Sequence, residues 1–187
     1  PRLPTPAARH RGSRDGSTLM PRLHAIELLP DDAGEDVVRR SWQALRDAGL
    51  PSMLDHRGST NTPHVTVIEV PAISAADEAL ALDLLGRLLP APVALAGLAV
   101  LGGERVTLAR LVSVPDELVA AVLQLRAATD GHPHQGWLPH VTLGRRIARG
   151  DLPAALDALG DVEVADAPVV LARLRRWDPA AQAVREL

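Results

Sequence analysis

A chain of 187 residues, 47% hydrophobic, with a formal net charge of −3 and no cysteine, has the length of one ordinary domain with a sizeable core. The missing cysteines exclude disulfides, thiolate nucleophiles and cysteine-based zinc sites, and the mildly acidic balance does not mark a general nucleic-acid binder, although a small substrate needs only a local positive cleft. No apolar stretch reaches membrane-spanning length and no signal-peptide pattern is present, so a cytoplasmic protein that does not engage a membrane is expected.

Residues 1–19 are rich in Pro, Arg, Ser and Gly without an apolar period, which predicts a disordered extension ahead of one domain over 20–187. Met20 directly precedes the first patterned strand and is expected to lie near the natural start. A basic arm that touches RNA is the alternative for the preceding segment. Residues 23–29 read as a strand closed by Pro30. Asp31 or Asp32 can cap a helix to about Ala48, with Gly49 as its stop and Val37, Ser41, Leu45 and Ala48 on one face.

A polar loop over 50–62 leads through Pro63 into a strand from His64 to Val70, and Ser74 is placed to cap a helix ending near Leu89. Strands near 93–101 and 104–113 follow, turned at Gly102-Gly103. That pair is a hairpin turn and not a phosphate loop, since no Lys follows it and no helix opens there. Pro115 opens a helix through Ala128, and a His- and Gly-containing loop leads to a strand over 140–146. A short helix near 152–159 precedes a terminal hairpin, 168–177 and 182–187, turned at 178–181. The helix-then-strand order in both halves predicts an α+β fold of two lobes, each a small sheet with helices outside. Pattern alone does not separate this from a ferredoxin-like sandwich.

One tetrapeptide is written twice in strand context: Pro63-His64-Val65-Thr66 and Pro139-His140-Val141-Thr142. Side chains alternate faces along a strand, so His and Thr project together in each copy. Two imidazoles in one space can take and give protons near neutral pH. The pair His64-Val65-Thr66-Val67 and His140-Val141-Thr142-Leu143 resembles the signature of the 2H phosphoesterase superfamily, which includes 2′-5′ RNA ligase-like proteins and cyclic nucleotide phosphodiesterases. The resemblance spans the chain from Met20 onward. It implies a two-lobed α+β fold whose antiparallel sheets line a central cleft, with helices on the outside.

It also implies that His64 and His140 are catalytic, with His140 favoured as base and His64 as acid, and that Thr66 and Thr142 hold a phosphate. Arg145, five residues past His140, resembles the family's phosphate-binding cation, although a regular strand would put it on the opposite face, so a twist or bulge is required. Arg146 has the matching parity and is the rival. The first motif departs from the RNA-ligase pattern, placing an acid in Val67-Ile68-Glu69-Val70 where a basic or aromatic continuation is common, which leaves the subfamily open.

Trp137 could stack on a base at the cleft mouth or be a core residue, while Trp42 and Trp177 read as packing residues. His56, His132 and His134 lack metal-ligand spacing and are expected on loops near the cleft, with His134 a possible substrate contact. No metal or cofactor is expected. The implied activity is hydrolysis of a 2′,3′-cyclic phosphate on a nucleotide or RNA end by a monomeric enzyme. Alternatives on the same site are 2′-5′ RNA ligation, cleavage of 2′-5′ oligonucleotides, or nucleotide binding without turnover.

Overall fold

The computed structural model describes residues 23–58, 60–132, 136–160, 162 and 169–187, so the segment 1–22 and His134 fall outside the described residues. Strand β1 (His24–Pro30) leads into helix α1 (Asp32–Asp47), where the free N–H of Gly34 in the first turn donates to the Asp31 side chain at 2.8 Å. Gly49 closes the helix at φ +71, a left-handed conformation that a side chain would resist. Val37, Ser41 and Leu45 are buried as the periodicity predicts, together with Val38 and Trp42. Ala48 is exposed instead, because it sits at the C-cap where the helical period has ended.

Strand β2 (Val65–Val70) begins one residue after His64. Helix α2 (Ala75–Leu85) opens on a reciprocal capping box between Ser74 and Asp77 and ends in a 3-10 turn, Gly86–Leu88, shorter than expected ahead of Pro90. The remaining elements are β3 (Ala91–Gly102), β4 (Arg105–Ser113), α3 (Asp116–Ala128), β5 (His140–Ala148), α4 (Leu152–Gly160), β6 (Val169–Asp178) and β7 (Ala183–Glu186).

The strands pair antiparallel in the order β2-β1-β6-β3-β4-β5, with β7 on the free edge of β6. The two lobes are joined through β3. Its first residues, Ala91–Val93, pair with β6, and the rest pairs with β4. One open sheet therefore carries both lobes, and its terminal strands are the two motif strands, β2 and β5.

The helices lock the lobes together crosswise. Helix α1 leaves from the first lobe yet packs on β5 of the second as well as on β6 and α4; α3 leaves from the second lobe and packs on β2 and α2. Among the described residues no helix is long and apolar enough to cross a membrane.

Candidate active site

As edge strands, β2 and β5 each leave one row of backbone groups without a strand partner. A tryptophan on a segment remote in sequence answers this in each. Trp137 Nε1 donates to Thr66 O at 2.9 Å, and Trp42 Nε1 donates to Thr142 O at 2.9 Å. A burial of 1% exposed makes Trp42 a core anchor as well as a cap. Removing it would cost about 3–5 kcal/mol.

The motif histidines are held alike. Each Nδ1 lies against the carbonyl oxygen two residues upstream, Thr62 O at 2.8 Å for His64 and Leu138 O at 2.7 Å for His140. A carbonyl only accepts, so Nδ1 carries the hydrogen in both rings and Nε2 remains as the working nitrogen. The surroundings of the two then differ. His64 Nε2 is 3.4 Å from Glu27 Oε1, and the other oxygen of that carboxylate accepts from Arg175 Nε at 2.6 Å. Among the described residues no carboxylate oxygen lies within 4 Å of His140.

Both motif strands carry a bulge at the same place. Glu27 pairs with Thr66 while the preceding Ile26 pairs with Ile68, so Val67 is extra; Ala109 pairs with Thr142 while Leu108 pairs with Gly144, so Leu143 is extra. Two consecutive buried residues result, and the alternation restarts one step later. The sixth residue of each motif thereby returns to the cleft: Glu69 in the first lobe and Arg145 in the second. The bulge supplies the twist that Arg145 requires.

Arg146 follows at φ +61 and does not line the cleft; its carbonyl accepts from Arg105 Nη1 at 3.1 Å. Gly144 belongs to the same device. A Cβ there would stand 2.4 Å from Pro51 O, so only glycine lets the loop before the first motif approach β5 this closely.

His64, Thr66, His140, Thr142 and Arg145 all line one cleft of about 560 Å³. Arg145 is exposed and makes no ion pair among the described residues. Trp137 lines the same cleft, so its indole serves as edge cap and wall at once. Arg126 and His132 also reach it; Arg126 donates to Val67 O at 2.6 Å, and burial draws its guanidinium below the usual value. Burial and the charge of Arg126 likewise hold the His132 imidazole below its ordinary value.

Beyond His64 the cleft continues into a recess of about 260 Å³ lined by Glu27, His56, Glu69, Arg175 and Trp177. Trp177 is thus not the packing residue that its place near the last turn suggested; it lies half-buried on the cleft face of β6. Sequence reasoning missed Glu27, Arg126 and Arg175, and read Glu69 only as a departure from the motif pattern, without a place in the cleft. For Glu27 a signal existed, an acid set inside the apolar run Ala25–Leu29.

A family model described as the 2′-5′ RNA ligase superfamily matches residues 33–183. Among solved structures, Kluyveromyces marxianus Usb1 is similar at 15% identity over 89% of this chain and 98% of that one, with a TM-score of 0.50. E. coli LigT complexed with 3′-AMP is similar at 15% identity over 89% and 94%, with a TM-score of 0.52. At such identities the likeness is one of fold: an open antiparallel sheet with helices. No curated protein matches the chain.

Proposed function

The chain belongs to the 2′-5′ RNA ligase superfamily, and from that premise we propose that it is a phosphodiesterase opening a 2′,3′-cyclic phosphate on a nucleotide or RNA end to a monoester. The observation that carries this reading is the matched pair of imidazoles, each with Nδ1 tied to a backbone carbonyl, on one cleft. The 3′-AMP bound by LigT supports a nucleotide as the ligand class.

His140, without a carboxylate neighbour among the described residues, serves as base: Nε2 takes a proton from water as the water oxygen bonds to phosphorus. His64 serves as acid. With Nδ1–H on Thr62 O, a second hydrogen on Nε2 is the form that Glu27 Oε1 can accept from. That hydrogen passes to the ribose oxygen as its bond to phosphorus breaks, and proton exchange with solvent resets both rings.

Thr66 and Thr142 donate their hydroxyl hydrogens to the non-bridging oxygens, and Arg145 offsets the charge that builds on them. Two imidazoles handle both proton transfers, so the step calls on no metal. Ligation through a 2′-5′ bond is the same ring opening with a nucleotide 5′-hydroxyl in the place of water: its oxygen bonds to phosphorus as the bond from phosphorus to the 3′ oxygen breaks.

Turnover of 2′,3′-cyclic nucleotides and of a cyclic-phosphate-ended RNA, with EDTA present, tests the reading. His64→Ala and His140→Ala are each expected to lower kcat by about 10²–10⁴-fold. Activity surviving both substitutions would remove the two histidines from the mechanism. Nucleotide binding by a wild type that turns nothing over would leave a binding module.

A further inference from the structure

The two motif hexapeptides, His64-Val65-Thr66-Val67-Ile68-Glu69 and His140-Val141-Thr142-Leu143-Gly144-Arg145, share the same bulge and the same order of buried and open positions. The half-sites match in imidazole and hydroxyl and differ at the sixth residue, a carboxylate in one lobe and a guanidinium in the other. With a phosphate held between the histidines, the guanidinium attracts it and the carboxylate repels it. Glu69 therefore faces a different part of the substrate, one that donates hydrogen bonds.

Strand register shows what else surrounds that part. Ala25 pairs with Glu69 on one side and with Trp177 on the other, so the three form one row across β2, β1 and β6. Cross-strand partners share a face, and all three line the recess beside His64. Glu69 and Trp177 stand two strand spacings apart, roughly 10 Å. The row's middle residue, Ala25, contributes only a methyl and is itself buried. The next row along is Thr66, Glu27 and Arg175, which places the phosphate-facing threonine one step from this slot. Among the described residues the Glu69 side chain makes no hydrogen bond or ion pair, and the residue is exposed.

We propose that Glu69, Ala25 and Trp177 form a nucleobase subsite in which the Trp177 indole supplies a stacking face and the Glu69 carboxylate selects a base edge with two adjacent N–H donors. This deepens the function proposed above and rests on the phosphate lying between His64 and His140. Guanine presents such an edge, with its ring N–H beside its amino group. Adenine and cytosine set a ring-nitrogen acceptor beside their amino group, and uracil flanks its one N–H with carbonyls; a carboxylate repels those acceptors. Glu69 is thus a specificity-determining residue, and guanosine 2′,3′-cyclic phosphate is the favoured mononucleotide.

The test is calorimetric binding of the four nucleoside 3′-monophosphates to wild type, Glu69→Gln and Trp177→Ala, beside turnover of the four 2′,3′-cyclic nucleotides. Wild type is expected to prefer 3′-GMP by about tenfold or more, the discrimination a good bidentate base contact supplies. Glu69→Gln is expected to shrink that preference to about threefold or less. Trp177→Ala should weaken all four ligands together, since every base has a face to stack. A wild-type ranking without 3′-GMP at its head, one that Glu69→Gln leaves intact, or no binding of any monophosphate would overturn the subsite. A Glu69-dependent ranking in a protein that turns over no cyclic nucleotide would keep the subsite and overturn the catalytic reading.

Discussion

Replacing Glu27 separates two jobs that one carboxylate holds. Its Oε2 accepts from Arg175 Nε at 2.6 Å, its Oε1 lies 3.4 Å from His64 Nε2, and it is 5% exposed against 7% for Arg175. Glu27→Gln leaves a guanidinium desolvated beside a neutral amide, a loss of about 3–5 kcal/mol for a broken buried pair. That is a large share of a stability of about 5–15 kcal/mol, and Tm should fall on the order of 10 °C. The contact to His64 is an ion-pair approach of 3.4 Å and not a formed hydrogen bond, so its loss is expected to lower kcat by about tenfold at most.

The double variant Glu27→Leu/Arg175→Met distinguishes the two effects. Replacing both partners with apolar side chains of similar size removes the orphaned charge, so stability returns to near the wild-type value. It does not restore an acceptor beside His64 Nε2, so the rate stays low. Urea unfolding and turnover of a 2′,3′-cyclic nucleotide, measured on both variants, read the two quantities separately. A double variant that recovers full kcat would refute the positioning role. A Glu27→Gln protein as stable as wild type would refute the buried-pair argument.

Arg145→Met should raise KM for cyclic nucleotides by about 10–100-fold through loss of a charged contact to phosphate, whereas Arg146→Met, outside the cleft, should leave KM within about twofold; steady-state kinetics on the two neighbours decides it. Burial acts to raise the Glu78 carboxyl, but its hydrogen bonds and ion pairs with Arg185 and Arg176 prevail and hold it below the usual range. A carboxylate depressed on folding stabilises above its unfolded value, and the contribution disappears as pH falls through the folded one. Glu78→Gln should therefore cost about 1–2 kcal/mol at neutral pH, and Tm measured across pH should show the two proteins converging below about pH 4. A gap that persists in acid would show that the loss is packing and not charge.

Local chemistry made much of this protein legible in one dimension. Asp31 and Ser74 announce helix starts because a side-chain oxygen is needed where backbone N–H groups have no partner, and both cap as read. Gly49 stops α1 and the Gly102-Gly103 pair turns a hairpin for equally local reasons. The doubled His-x-Thr pattern fixed which face each imidazole shares with a hydroxyl, since that needs only the two-residue period of a strand.

What the period could not give was the point where it breaks. The bulges at Val67 and Leu143 arise from pairing with β1 and β4, and they alone decide that Glu69 and Arg145 face the cleft while Arg146 does not. Residues that meet only through cross-strand rows or remote caps were equally hidden. Glu27 meets Arg175 across 148 positions, Trp137 reaches Thr66 across 71, and Trp42 reaches Thr142 across 100. The two imidazoles were written into the chain as a repeat. Their unlike surroundings, one beside a buried carboxylate and one with none among the described residues, come from strand order and exist only once the sheet has closed around the cleft.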